Sequence, residues 1–355
     1  MQPDNSILTD LDRFGPDAPS SGDPMPLAVA RAYVHTLATG HYENFSVLSR
    51  LVPADLRDDF AAVYAYCRWS DDLGDETGST PEARQRSLEL LSWWRSQLQR
   101  CFDSATADDP DTTELRHPVF IALAESIRRH ALQPEPFHHL IDAFEQDQRI
   151  TAYETWDQLL DYCTRSANPV GRIVLALGGH GGDKPGDAQL IALSDATCTA
   201  LQLTNFWQDV RRDLLERDRV YLPSSETGIT PEMLRTWVDT PNDPAARVAY
   251  IKALRPLVER TRTLFEHGSD LPATLNAPLS PVIWLFGAGG HSVLRQVERT
   301  GCTTLWTRPS LSRRKKVSLV FRATLFARFG KWSRHASAAS STTTHDSAEA
   351  GKVAA

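Results

Sequence analysis

Between Leu201 and Asp213 the side chains of Gln202, Asn205, Asp209 and Asp213 recur at intervals of three, four and four residues. At about 3.6 residues per turn this spacing puts all of them on one face of an α-helix. Leu201, Leu203, Phe206 and Val210 are placed to pack elsewhere around the same helix. Any fold that contains this helix must accommodate two aspartates one turn apart, which repel unless a cation sits between them. Carboxylates at i and i+4 suit a shared hard cation such as Mg²⁺, which takes oxygen ligands and bridges protein carboxylates to substrate phosphates. Alone, such a pair is more often a solvated acidic face, since Asp is mostly exposed in folded proteins.

A second cluster changes that balance. In Tyr64-Ala-Tyr-Cys-Arg-Trp-Ser-Asp-Asp-Leu-Gly-Asp-Glu76, Asp71 and Asp75 again stand at i and i+4. Arg68 lies one turn before Asp71, and Tyr64 one turn before that. Two helices that each offer an aspartate pair across a cavity would hold several Mg²⁺ ions against a diphosphate, and the ions would make ionisation of a C–O bond feasible. Arg68 would add a forked donor suited to phosphate oxygens. Asp72 and Glu76 lie one residue off the main face and extend the cluster.

Around these motifs the apolar residues recur at helical spacing, and alternating strand patterns are nearly absent. Helices are expected from Pro26, then over Asp55–Asp75, Glu82–Phe102, His117–Leu132, Glu135–Gln148, Thr155–Leu177, Asp187–Leu215, Pro231–Val238, Pro244–Phe265 and Pro281–Cys302. The architecture is expected to be all-α, one domain with a central cavity. Gly178-Gly-His-Gly-Gly182 and Gly287-Ala-Gly-Gly290 follow no strand, so neither reads as a phosphate-cradling or dinucleotide loop. His117, His138 and His139 have no partner at metal-ligand spacing and read as surface or core residues. Cys67, Cys101, Cys163, Cys198 and Cys302 are scattered without CxxC spacing, which suggests neither a disulfide framework nor a zinc site and fits a reducing cytoplasm.

With both motifs in place, the chain resembles the squalene/phytoene synthases, and the likeness runs from about Pro26 to His291. It implies an isoprenoid-synthase-type helical bundle in which Asp71, Asp75, Asp209 and Asp213 bind Mg²⁺ and the substrate diphosphate. Arg219 and Tyr221 match the family's Arg-x-Tyr/Phe-x-Pro element that closes on the diphosphate. Asn205 and Gln202 match polar residues that line the cavity. Glu43-Asn-Phe45, Ser166-Ala-Asn-Pro-Val-Gly171 and Asn205-Phe-Trp-Gln-Asp209 are similar to the hydroxysqualene synthase branch of bacterial hopanoid biosynthesis.

Two departures point the same way. Condensing members carry His-Ser-x-Ser-Phe where this chain has His41-Tyr-Glu-Asn-Phe45, so Tyr42 and Asn44 replace two serines that contact diphosphate. Those members also carry Arg where this chain has Gln208. Fewer donors for phosphate should weaken handling of two separate prenyl diphosphates. The resemblance therefore implies a synthase that ionises presqualene diphosphate and lets water capture the rearranged cation, giving hydroxysqualene without a nicotinamide cofactor. Phe45, Tyr64, Phe206 and Trp207 could face the cation, and plain core packing fits each of them equally well. Asn44, Tyr42 and Asn168 are the candidates for positioning the water. Asp147 lies in a segment that is polar in the family too. The alternative is a head-to-head condensing enzyme making presqualene diphosphate, squalene or phytoene. A third reading, a non-catalytic assembly factor of the same fold, would be favoured by degraded aspartate motifs, and both motifs are intact.

Charge is unevenly spread. The whole chain of 355 residues carries −7, but Arg299–Thr344 holds ten Lys or Arg and no acid, which leaves −17 for the remainder. That split argues against nucleic-acid binding by the body and gives the tail a separate role. Residues 1–25 are expected to be a disordered leader, 26–305 the synthase-like domain, 306–335 a basic amphipathic tail helix and 336–355 a disordered end. The tail helix would lie at an anionic membrane surface or pack on the domain. No apolar run reaches the ~18 residues of a membrane span, and no signal peptide is visible. A monomer or weak homodimer in the cytoplasm, at most peripheral on the inner face of the membrane, is the expectation.

Overall fold

The computed structural model describes residues 7–18, 25–40, 51–107, 115–182, 184–275 and 278–329. The longer helices are α1 (Leu27–Gly40), α2 (Arg57–Asp75), α3 (Pro81–Thr106), α4 (Pro118–His130), α5 (Glu135–Asp147) and α6 (Trp156–Ser166). They continue with α7 (Asn168–Leu177), α8 (Asp187–Glu216), α9 (Pro231–Asp239), α10 (Pro244–Gly268), α11 (Ser280–Arg299) and α12 (Arg313–Phe329). Among the described residues the only β-type pairing is an isolated bridge between Ala152 and Val220. The fold is all-α, as the spacing predicts.

Local chemistry starts many of these helices. Proline occupies the first turn of α3, α4, α9, α10 and α11, where its missing N–H costs no hydrogen bond. Thr80, Thr230 and Asp243 accept backbone N–H groups as N-caps. Thr155 and Gln158 form a reciprocal capping box at the start of α6. The stretch expected as one helix over Thr155–Leu177 is two, α6 and α7, broken at Ala167. Pro169 explains the break: it has no N–H to continue the ladder and its ring would clash with the preceding turn.

Two apolar centres hold the bundle. In the first, the rings of Trp69 and Trp94 stack at 5.3 Å, and Tyr66 stacks on Trp94 at 5.9 Å. Their polar atoms are all used: Trp94 Nε1 donates to Ser70 Oγ at 2.9 Å, Trp69 Nε1 to Tyr33 Oη at 3.1 Å, and Tyr66 Oη to the Phe137 carbonyl at 2.8 Å. His117 is edge-on to Trp69 and Trp94, and burial pushes it down to about 3, so it is a neutral core histidine. In the second centre Trp207, Leu203, Tyr250, Leu254 and Leu294 pack together.

Helix α8 runs between the two centres and packs against α6, α7, α10 and α11. Close approach is possible because glycine faces it. A Cβ at Gly171 would collide with Ser194 and Cys198, and one at Gly290 with Leu201. The glycines of Gly287-Ala-Gly-Gly290 thus include one that lets α11 lie against α8.

The expected disordered leader is corrected for residues 7–18. Ile7 is buried, Leu8, Leu11 and Phe14 pack on the first core, and Tyr33 Oη donates to Asp10 at 2.7 Å. These apolar residues share a helical face, which bulk composition conceals among the acidic and proline neighbours.

Candidate active site

The C-terminal half of α2 and the C-terminal half of α8 bring the two aspartate pairs together. Their proximity shows in one side chain. Arg217, just past the end of α8, has Nη2 2.8 Å from Asp75 Oδ2 and Nη1 3.7 Å from Asp213 Oδ1. One guanidinium therefore spans both motifs, so the carboxylates face each other across the space between the helices.

Around this bridge the acidic groups are matched by arginines. Asp75 also accepts from Arg219 Nη1 at 2.7 Å, and the same nitrogen lies 3.5 Å from Asp147 Oδ2. Asp147 accepts from Tyr162 Oη at 2.7 Å. Arg219 is held where it is by backbone: its N–H donates to the Asp213 carbonyl at 2.9 Å, and the next N–H, of Val220, to Thr151 at 2.7 Å. Burial works against the charge of Arg219, but Asp147 and Asp75 outweigh it and raise its pKa. Arg212 Nη2 sits 3.0 Å from Asp209 Oδ2 and 3.5 Å from Asp213 Oδ1. Arg308, 99 residues downstream, forks onto both oxygens of Asp209. Gln208 turns aside and donates to the Pro309 carbonyl at 2.7 Å, which ties the same downstream segment to α8.

Arg68 is engaged too: it pairs with Asp72 at 2.7 Å and with Asp71 at 3.7 Å. Asp72 is fully buried and its Oδ2 also faces the Ile7 N–H at 3.4 Å. It acts as the inner anchor of Arg68. Asp71 differs in keeping 42% of its side chain accessible. Desolvation by the surrounding protein, then the charges of Asp75 and Asp72, pushes its carboxyl up to about 7. Burial likewise raises Asp147 to about 7 and Asp72 and Asp213 to about 6.

The donor set can be tested against a metal ion. Among the described residues no group of three or more His, Cys, Asp or Glu converges as a ready-made cluster. Mg²⁺ seldom requires one: it keeps several waters and binds through one or two carboxylates plus substrate phosphates. Asp213 Oδ1 is buried and, with Arg212 and Arg217 only at 3.5 and 3.7 Å, has no hydrogen bond, and Asp71 is accessible. Oxygen donors, one of them orphaned, on two opposed helices fit a hard divalent cation shared with a phosphate ligand.

Other expected residues fall as follows. On α8 Asn205 is exposed and Gln202 half-buried, on the same face as Asp209. Phe206 stacks on Tyr221 at 3.7 Å with the rings 8° from parallel, and Tyr162 and Tyr153 back this pair. These buried rings form a wall beneath the acidic groups. Trp207 is corrected from a cavity candidate to core: it is fully buried and donates to Thr261 Oγ1 at 2.8 Å, because adjacent helical positions point about 100° apart. Asn168 is buried and accepts from Thr199 Oγ1 at 2.9 Å, which fastens α7 to α8. Tyr64 is half-buried, packed against the first core one turn before Arg68. His41, Tyr42, Asn44 and Phe45 lie outside the described residues. Sequence reasoning missed Arg212, Arg217, Tyr162 and Arg308. Arg212 and Arg217 sit in the same motif stretch and could have been found as cations at i+3 and i+4 from its aspartates; nothing local marks Arg308.

An open groove of about 660 Å³ between α5 and α6 is a separate feature. Its rim of Asp142, Glu145, Arg149, Asp161 and Arg165 is charged and carries no motif residue.

A family model described as squalene/phytoene synthase matches residues 38–319. A hydroxysqualene synthase of Zymomonas mobilis is 34% identical over 186 residues, 52% of this chain; the chain spans only 56% of that relative's length. A phytoene synthase of Thermus thermophilus is 29% identical over 81% of this chain and 90% of its own. Among solved structures, a squalene synthase from Alicyclobacillus acidocaldarius is 35% identical and superimposes with a TM-score of 0.63, covering 78% of this chain and 97% of that one.

Proposed function

The chain belongs to the squalene/phytoene synthase family, and we propose that within it this protein is a Mg²⁺-dependent hydroxysqualene synthase acting on presqualene diphosphate. The observation that carries this reading is Gln208. Where condensing members hold a cation beside the second aspartate motif, this chain has a neutral amide that donates to the Pro309 carbonyl instead of facing phosphate. The altered segment His41-Tyr-Glu-Asn-Phe45 removes two further phosphate contacts. A site with fewer phosphate donors suits one diphosphate better than two. The Zymomonas relative supports the same choice.

Asp71, Asp75, Asp209 and Asp213 would hold the metal ions, whose charge would neutralise the diphosphate as it leaves. The protein's own groups do the rest. Arg219 and Arg217 clamp Asp75, so that its carboxylate is preset rather than free to swing. Arg68, Arg212 and Arg308 surround the position of the leaving group with forked donors that suit phosphate oxygens. As the C–O bond breaks, its electron pair leaves with diphosphate. Asn205, exposed one turn before Asp209, is placed to hold the one water whose oxygen bonds to the rearranged carbocation, with its proton released to diphosphate or solvent.

One observation favours the condensing alternative. Arg308 forks onto Asp209 and returns a cation to the rim that Gln208 leaves neutral. Product analysis separates the two. Purified protein with Mg²⁺ is offered presqualene diphosphate or farnesyl diphosphate, and products are identified by mass spectrometry. A C30 alcohol from the first and nothing from the second is expected; presqualene diphosphate or a hydrocarbon from farnesyl diphosphate would overturn the reading.

A further inference from the structure

Helix α12 was expected to gather its apolar residues on one side. Instead it has two apolar faces. Leu319 and Ala323 are buried against α11, where the Arg322 guanidinium also lies 5.1 Å over the Trp284 ring. Facing the opposite way, Val317, Phe321 and Leu325 are 61%, 62% and 39% exposed. They stand at i, i+4 and i+8, so they form a single stripe on the side of the helix turned from the domain. Arg314 and Arg328 fall on the same arc, and Arg313, Lys315 and Lys316 are exposed around the first turn.

Such a face is unusual for a helix that meets only water. Scattered exposed apolar residues are ordinary, whereas a contiguous apolar stripe rimmed by charge of one sign marks a docking surface. Its chemistry restricts the partner. The helix contains no Asp or Glu, while the rest of the chain is strongly acidic. A second copy docked two-fold on the same face would bring like charges together. An anionic lipid surface instead offers a hydrocarbon boundary for the stripe and negative headgroups for the cations. No helix among the described residues is long and apolar enough to cross a membrane, so the contact is interfacial.

We propose that the outer face of α12, built on Val317, Phe321 and Leu325 with Arg314 and Arg328, docks the protein on an anionic bilayer. The face is tethered close to the acidic site. Pro309, held by Gln208, and Arg308, held by Asp209, precede the first residue of α12 by at most about 18 Å of extended chain. Docking therefore brings the rim of the site to the lipid surface, from which a water-insoluble chain could enter. This inference concerns binding and stands whether the site makes an alcohol or condenses two diphosphates.

The test is co-sedimentation of the full chain with vesicles of phosphatidylcholine alone or mixed with phosphatidylglycerol. Binding to the mixed vesicles only, weakened by salt, is expected. Val317→Asp with Phe321→Asp should lower it at least tenfold. Both residues are exposed, so the thermal melt should not change. Arg314→Gln, Lys315→Gln and Lys316→Gln together should lower it by about a hundredfold, at roughly fivefold per cation. Equal binding to both vesicle types, or variants that bind like the parent, would overturn the proposal. So would a dimer in sedimentation equilibrium that Val317→Asp with Phe321→Asp dissociates, since the face would then belong to a second copy.

Discussion

Asp71 and Asp75 sit one turn apart on α2, and Asp209 and Asp213 one turn apart on α8, yet the pairs meet different surroundings. On α2 the outer member, Asp71, is accessible and only loosely paired with Arg68, while Asp75 is gripped by Arg217 and Arg219. On α8 both members are buried. Asp209 is covered by Arg308 and Arg212, and Asp213 lies 3.5 and 3.7 Å from Arg212 and Arg217. Identical spacing thus yields one carboxylate open to a ligand and three held by arginines. If the site takes a cation with a diphosphate, Asp71 would be open to it, whereas Asp75, Asp209 and Asp213 would first have to give up guanidinium partners, which would then be free to meet phosphate.

The largest expected effect comes from removing one carboxylate of each pair. Asp71→Ala and Asp209→Ala should each lower turnover by roughly 10³-fold or more, as loss of a main electrostatic stabiliser does; near-normal kcat in either would contradict the ligand assignment. Stability should then divide the pairs. Asp75→Ala takes from the buried Arg219 and the half-buried Arg217 their nearest carboxylate and leaves only the longer contacts to Asp147 and Asp213, which should cost up to about 3 kcal/mol, whereas Asp71→Ala removes an accessible, self-repelled charge and should leave the chemical-denaturation midpoint near that of the parent.

The titration of these groups gives a third test. Asp71 and Asp147 are raised to about 7, and Asp72 and Asp213 to about 6, each chiefly by burial, from an ordinary value of 3.8. The folded state therefore binds more protons than the unfolded chain between about pH 4 and 7, and stability falls as pH rises through that window. Without divalent ions the melting temperature should drop from pH 5 to pH 8, and Mg²⁺ should restore more of it at pH 8, where it no longer competes with protons. A flat profile would remove the case that burial raises these carboxyls. The smallest effect concerns Gln208. Gln208→Ala loses one hydrogen bond to Pro309 and should cost about 1 kcal/mol in urea unfolding.

Much of this arrangement is legible in the chain because helical periodicity is local. The two i, i+4 pairs, Arg68 before them and Asn205 on the second face follow from 3.6 residues per turn alone. The split between α6 and α7 was readable from Pro169, and the docked leader from the spacing of Ile7, Leu8, Leu11 and Phe14. What was not readable depends on tertiary geometry. Arg308 reaches Asp209 across 99 residues, and Asp147 meets Arg219 across a stretch with no shared motif. Phe206 and Trp207 are neighbours of similar character, and only packing sends one to the wall behind the site and the other to the core. Gln208 was legible as a missing cation, but its bond to Pro309 was not.

The most direct test of the central claim is one turnover of presqualene diphosphate in oxygen-18 water with Mg²⁺, followed by mass spectrometry of the product. A C30 alcohol whose oxygen carries the solvent label is expected, since the C–O bond to diphosphate breaks and water supplies the new one. An unlabelled alcohol, formed by cleavage at phosphorus, or a hydrocarbon in place of the alcohol, would contradict it.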